Sequence, residues 1–411
     1  MGTITGAVIF AITYALISAR RLSWLGFDRP AGALLGAVAC VVLGVLTPTA
    51  ALEAIDGTTL VLLFGVMGMG AFLSLNGFFE PLEERLAVTA QSPARLLAVI
   101  VWSAGLLSAL ITNDAVCILG APLLVRIIRR CRLPALPFLL ALATAANTGS
   151  VATLVGNPQN MLCGVLGGLS YRHHLALMAP VAVAGLAINH ALLWWMFRHQ
   201  LGAPAAPVSG EPRRRSPLSP RAAITLAVIA ATVLAYSLGG NLAWTATAGF
   251  VALMLLFRRD TRQLWPRIDW PLLIFFAGLF VVVDGLLASG VPAAVFARFP
   301  LAGGDGLAGG ARLAAIFLVG SNVVSNVPFI LVIRDQMATL ADPHLGWELL
   351  AMTSTFAGNL TLLGSAANII VTEAASDVGG IGFFQYLRAG IPIAVTTTAT
   401  GVLWLALVHG F

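Results

Sequence analysis

Thr112, Asn113 and Asp114 stand side by side in the stretch SALITNDAVCILG (residues 108–120), among residues that are otherwise almost all apolar. With Ser108 they offer hydroxyl, amide and carboxylate oxygens, the ligands that a hard cation such as Na⁺ takes. Asp114 is the sharpest of them. An ionisable group inside an apolar span costs on the order of 2.5–3.5 kcal/mol to insert, so it is functional by default and can coordinate a cation or carry a proton. Its own stretch holds no Arg before Arg126, so a local salt bridge does not account for it. Ser321, Asn322, Ser325 and Asn326 form a second cluster of this kind, in SNVVSNVPFILVI. Two longer runs mix polar residues with helix breakers: ANTGSVATLVGNPQN (residues 146–160) and AGNLTLLGSAAN (357–368). Gly156, Pro158, Gly358 and Gly364 interrupt helix there, freeing N–H groups at one half-helix end and C=O groups at the other. The positive end suits an anion and the carbonyl end a cation. Thr148, Asn157, Asn359, Thr361 and Ser365 are the candidate anion ligands in these runs.

The chain that must position these residues has 411 of them, 59% hydrophobic and 10% charged, with a mean hydropathy of +0.93. A soluble domain carries about 25% charged residues, so this composition predicts an all-α polytopic membrane protein. The net charge of +6 comes from Arg alone, with no Lys. The basic residues gather between apolar runs: Arg20, Arg21 and Arg29; Arg126, Arg129, Arg130 and Arg132; residues 198–221; and Arg258, Arg259, Arg262 and Arg267. That is a positive-inside pattern rather than a nucleic-acid footprint. Four cysteines without CxxC spacing suggest neither disulfide nor zinc. The N-terminus reads as a retained first helix. His190 reads as a packed helix residue, and Trp194, Trp195 and Trp270 as interface anchors. With no GxSxG, HExxH, Walker A or paired-acid set, no enzyme, cofactor or ATP-binding segment is expected. Energy would come from an ion gradient or from a separate ATPase subunit.

The basic clusters constrain the path of the chain. With Arg20–Arg29 in the cytoplasm, residues 80–95 return there, and so should Arg126–Arg132. Two full spans between them need about 40 residues at 1.5 Å rise, and the run 97–128 is too short. It is therefore expected to be a re-entrant hairpin with its tip at Thr112-Asn113-Asp114, where non-helical backbone is tolerated if it lines a site. The second half repeats the first. Ser108 and Asn113 match Ser321 and Asn326 at an offset of 213. Thr153, Gly156 and Asn160 match Thr361, Gly364 and Asn368 at 208, as Asn76-Gly77 matches Asp284-Gly285. Each half has five spans, an odd number, so the halves have opposite topology, a signature of secondary transporters. The expectation is about ten transmembrane helices plus two re-entrant hairpins in two inverted repeats, with two helices broken mid-membrane. The first repeat is 1–197, with hairpin 97–128 and broken helix 134–168. A cytoplasmic basic linker spans 198–221. The second repeat is 222–411, with hairpin 311–333 and broken helix 346–371.

At TNDAVCILGAPLL, NTGSVATLVGNPQN, SNVVSNVP and TFAGNLTLLGSAANIIV the chain resembles the ion transporter superfamily. That group includes arsenite/antimonite efflux proteins, NhaD-type Na⁺/H⁺ antiporters and divalent anion/Na⁺ symporters. The resemblance implies paired cation sites at Ser108, Thr112, Asn113 and Gly156, and at Ser321, Ser325, Asn326 and Gly364, flanking one anion. It also implies an elevator motion, often within a homodimer. The tips depart from the symporter's Ser-Asn-Thr triplets: they read Thr112-Asn113-Asp114 and Ser325-Asn326-Val327. The first resembles the Asn-Asp of the arsenite-efflux members and implies proton coupling through Asp114. The expected function is H⁺- or Na⁺-coupled transport of a small anion or arsenite-like oxyacid across the inner membrane, with both termini outside. The alternative is a Na⁺/H⁺ antiporter without an anion substrate.

Overall fold

The computed structural model describes residues 2–18, 28–202, 218–258, 260–301 and 306–410. Arg20, Arg21, Arg259 and most of the 198–221 linker lie outside the described residues. The first half holds α1 (Gly2–Ser18), α2 (Arg29–Val42), α3 (Pro48–Glu53), α4 (Gly57–Leu75), α5 (Phe79–Thr89), α6 (Pro93–Leu110), α7 (Asn113–Cys131), α8 (Ala135–Ser150), α9 (Pro158–Leu166) and α10 (Tyr171–Leu201). The second half holds α11 (Pro220–Ser237), α12 (Leu242–Phe257), α13 (Trp270–Ala288), α14 (Val291–Arg298), α15 (Gly306–Val324), α16 (Asn326–Met337), α17 (Pro343–Ala357), α18 (Ala366–Ala374) and α19 (Phe383–His409). Among the described residues there is no strand. Among the described residues, seven helices are long and apolar enough to cross a membrane: α4, α6, α10, α11, α13, α15 and α19. Four shorter apolar helices accompany them, within α1, α2, α8 and α12.

Local chemistry sets the helix starts. Asp28, Asp56, Asn157, Ser219, Asn241, Asp269 and Asp342 each accept a hydrogen bond from the first turn that follows, satisfying an orphan N–H. Pro opens α2, α6, α9, α11 and α17, where its missing N–H has no partner to lose. The packing is inverted relative to a soluble protein. Leu234, Leu256, Phe384 and Leu407 face outward, while α8 from Pro137 and α17 from Gly346 are buried to their ends with their Thr, Ser and Asn residues inside. α6 and α10 pack on α8, and α7, α9 and α18 complete the shell around the two breaks.

The apolar run 97–128 is two helices, α6 and α7, interrupted at Ile111 and Thr112; the run 311–333 is α15 and α16, interrupted at Ser325. The runs 134–168 and 346–371 are likewise interrupted, at residues 151–157 and 358–365. One alignment needs correction. Asn76 caps the end of α4 with Gly77 at φ +77°, whereas Asp284 lies inside α13 and pairs with Arg334 at 2.8 Å. The element that matches Asn76-Gly77 is Ser289-Gly290, which caps α13 with Gly290 at φ +73°. A polar pair inside a helix and one at its end look alike in sequence.

Candidate functional site

The two helix breaks and the two tips meet around Asn147, in the last turn of α8. Asn147 is 1% exposed. Its Oδ1 accepts from Asn113 Nδ2 at 2.9 Å and from Ser365 Oγ at 3.0 Å. Its Nδ2 donates to Asn359 Oδ1 and Asn368 Oδ1, both at 3.0 Å. The amide orientations follow from the partners. Asn368 Nδ2 donates to the carbonyls of Gly358 and Thr361 at 2.7 and 3.2 Å, and Asn359 Nδ2 donates to the Thr144 carbonyl at 3.2 Å. Carbonyls only accept, so both side-chain oxygens must face Asn147. Asn359 also donates to Thr148 Oγ1 at 3.0 Å, and Asn189 of α10 reaches Thr144 Oγ1 at 3.0 Å.

Each break also clamps its own tip. Asn113 N donates to the Gly156 carbonyl at 2.9 Å and Thr153 Oγ1 to the Ala109 carbonyl at 2.8 Å. In the second half, Asn326 Nδ2 donates to the Gly364 carbonyl at 3.3 Å and Asn322 Nδ2 to the Ala357 carbonyl at 3.0 Å. Asn160 bonds the carbonyls of Ser150 and Thr153, as Asn368 bonds those of Gly358 and Thr361, each at the offset of 208. Glycine is needed at Gly156 for this closeness, because a Cβ there would lie 2.2 Å from the Ser150 carbonyl oxygen.

Asp114, buried at the first turn of α7, bonds its own N–H to Asn113 Oδ1 at 2.9 Å. Its carboxylate lies towards the backbone N–H of Ala367, in the first turn of α18, and Asp269 and Arg29 are the charged groups that act on it. A carboxylate therefore occupies the positive end of a half-helix dipole.

The expected site residues divide accordingly. Asn113, Thr148, Asn359 and Ser365 join the Asn147 network, and Thr361 enters it through its carbonyl. Thr112 caps α7 through Ala115 N at 3.3 Å. Asn157 caps α9 and reaches Thr355 Oγ1 at 3.0 Å, tying the first break to α17. Ser108 is not turned to the tip; its hydroxyl bonds back to the Ala104 carbonyl at 2.7 Å. Ser325 is exposed at φ +71°, a strained conformation for a residue with a side chain. Ser321 Oγ and Asn326 Oδ1 are buried with no hydrogen-bond partner among the described residues. Sequence reasoning passed over Asn147, Thr144, Asn189 and Thr355, and also a buried His174–Glu348 pair. Among the described residues no group of His, Cys, Asp or Glu could hold a metal, and the four cysteines are free and buried.

A profile of the citrate transporter family matches residues 14–357. The chain is 32% identical to a silicon efflux transporter of Oryza sativa subsp. japonica, over 97% of the chain and 96% of that protein. It is 27% identical to a 46 kDa membrane protein of Mycobacterium leprae over 98% of both chains, and 24% identical to a Dictyostelium discoideum protein named as an arsB transporter over 96% and 91%. Among solved structures, the YdaH transporter of Alcanivorax borkumensis shares the fold at a TM-score of 0.53 and 15% identity, over 92% of this chain and 90% of that one.

Proposed function

The chain belongs to the citrate transporter family, and from that premise we propose that it is a secondary active transporter of a small hydroxylated oxyacid, such as silicic or arsenous acid. The asparagine network carries this reading. Every hydrogen-bond partner of Asn147 is a neutral amide or hydroxyl. A tricarboxylate would need cationic partners in such a buried place. An uncharged oxyacid is matched by groups that both donate and accept. The silicon efflux transporter to which the chain is similar along 97% of its length supports the same class.

Asp114 is the coupling residue in this reading. Ionised, it holds the N-terminus of α18 through Ala367; protonated, it releases that N–H to an oxygen of the substrate. Proton occupancy and substrate position are then alternatives at one half-helix end. Inverted repeats with two re-entrant pairs and about ten spans fit the parallel order of elements in the two halves. The moving part is α6–α9 with α15–α18, which slides as an elevator against the remaining helices, within a homodimer in the inner membrane. The linker is cytoplasmic and the termini are outside. The gradient alone drives transport; a separate ATPase subunit is the alternative source of energy. The substrate leaves chemically unchanged.

Na⁺ is favoured as a second coupling ion by one observation: Ser321 Oγ and Asn326 Oδ1 are buried and unpaired, and the Asn326 amide bonds the Gly364 carbonyl. With Na⁺ there and no oxyacid, the protein would be a Na⁺/H⁺ antiporter.

The test is thermal stability of the purified protein with silicic acid, arsenous acid and citrate, in Na⁺ and in choline. A ligand at a hundredfold excess over Kd stabilises by about 2.7 kcal/mol. Stabilisation by an oxyacid supports the first reading, and stabilisation by Na⁺ alone moves the assignment to the antiporter. In proteoliposomes, Asp114→Asn is expected to keep substrate exchange and lose gradient-driven flux. Full gradient-driven flux in that variant would remove Asp114 from the mechanism.

A further inference from the structure

Two titratable side chains lie inside the molecule apart from the asparagine network. His174, in the first turn of α10, and Glu348, on α17, have side chains 0% and 2% exposed, with His174 Nδ1 2.5 Å from Glu348 Oε2. His174 Nε2 is 3.1 Å from the carbonyl oxygen of Val151, the residue that ends α8. That carbonyl can only accept, so Nε2 carries a hydrogen and donates it. One more proton must lie between Nδ1 and Oε2, because two bare acceptors would repel at that distance. Glu348 Oε1 remains buried without a hydrogen-bond partner among the described residues. Leaving such an oxygen unpaired is costly.

The surroundings supply a partner for it. Glu348 lines an open cavity of about 310 Å³ with His173, Asp342, His344, Leu345 and His409. The His and Asp residues are exposed, Leu345 is half-buried and Glu348 is buried, so the cavity runs from the surface down to Glu348. The titratable groups near the pair are His173 from α10, Asp342 and His344 from the start of α17, His409 from the end of α19 and Cys163 from α9; Tyr171 of α10 lies against Tyr236 of α11, and Arg95 is at the start of α6. α8 carries no titratable residue, and α16 commits Arg334 to Asp284 and Asp335. α15 carries Arg312, which has a partner of its own.

We propose that His174 and Glu348 form a second protonation site of the transport cycle, loaded through this cavity, whose shared proton holds the two broken helices in one register. The proposal rests on the proton-coupled reading above. A proton brought by water finds Oε1 as its vacant acceptor. When the shared proton leaves by the same cavity, the Nδ1 lone pair faces a carboxylate and the contact opens. The pair spans α10, α17 and the end of α8, and Val151 lies one helical turn beyond Asn147. Opening it therefore removes one of the ties between α8 and α17, next to the network. The cavity opens at the start of α10, whereas the linker follows its other end about 46 Å away at 1.5 Å per residue. Protons enter from the face opposite the linker.

The experiment uses the full-length protein in two ways. In detergent and without substrate, thermal unfolding is followed between about pH 5 and 8, the range in which imidazole titrates. A site that exchanges protons differently when folded gives the unfolding midpoint a pH dependence. Glu348→Gln and His174→Gln are each expected to reduce that dependence, and the double variant to reduce it no further. A dependence unchanged in both singles overturns the site, whether or not silicic acid is a substrate. In proteoliposomes with silicic acid, both variants are expected to keep exchange at equal pH and lose acceleration by a pH difference. Glu348→Asp, which restores an acid on a shorter stem, should regain part of it and serves if the Gln variant does not fold. Wild-type acceleration in Glu348→Gln, or in Glu348→Asp with an unshifted pH profile, overturns the coupling role. A wild type that exchanges silicic acid but ignores the pH difference overturns the proton-coupled reading itself.

Discussion

Asn147 shows how much of this site depends on single atoms. Asn147→Ala would leave Asn113, Asn359, Asn368 and Ser365 each short of a partner, at about 1–3 kcal/mol for every buried group that finds no water. Asn147→Asp keeps the shape but sets a carboxylate oxygen against two side-chain oxygens fixed by their own carbonyl partners. Both variants are expected to unfold at lower temperature and to lose oxyacid stabilisation in a thermal-shift assay. A wild-type midpoint for Asn147→Asp would mean that the amide orientations are reversed. The sequence makes Asn113, Asn359 and Ser365 visible because polar residues recur there at fixed offsets or beside helix breakers. Asn147 escapes that criterion, since its counterpart at 208 is Thr355 rather than another Asn. His174 and Glu348 escape for a different reason: they are 174 positions apart, and only the packing of α10 and α17 on α8 and α19 brings them together. Glu348 still leaves a trace, as a lone acid in HLGWELLAM, inside an apolar helix where an ionisable group is expensive.

At the scale of elements, α6 and α8 are held by facing glycines. A Cβ on Gly149 would lie 2.3 Å from both the Cα and the carbonyl oxygen of Gly105, so backbone meets backbone with no flexible side chain to yield. Small residues are what let membrane helices approach this closely. Gly149→Ala is expected to destabilise by about 1–3 kcal/mol, the range for overpacking, and to lower substrate binding, because Asn147 rides on the same turn. Gly70→Ala on α4 is the control: nothing lies within 4 Å of its added Cβ, so the change should be neutral or stabilising by up to about 1 kcal/mol. Equal midpoints for the two variants would show that α6 and α8 do not depend on this contact. The interruptions of the runs 134–168 and 346–371 leave a trace in Gly156, Asn157 and Pro158 and in Gly358, Asn359 and Gly364, whereas the chain at Ile111-Thr112 and at Ser325 is interrupted without Gly or Pro. The short α3, α5 and α14 leave none. Their lengths of 6, 11 and 8 residues carry too few apolar positions to define a period.

At the scale of the whole molecule, the remaining asymmetry is which compartment each end of α10 faces. The basic clusters at Arg198 and Arg221 border the end near the linker, and Arg-rich segments stay in the cytoplasm. The His174–Glu348 cavity is at the other end, so the electrochemical proton gradient would push protons into it from outside. The four native cysteines are buried, which leaves a low background for labelling with a membrane-impermeant maleimide. Ala341 is exposed in the loop beside the cavity and Gln200 is exposed at the far end of α10. Ala341→Cys is expected to label in intact cells, and Gln200→Cys only after the membrane is opened. The reverse pattern would invert the protein, and an inward proton gradient would then make this cavity the place where the proton is released to the low side. The labelling result therefore decides whether this cavity is the entrance or the exit of the coupling proton.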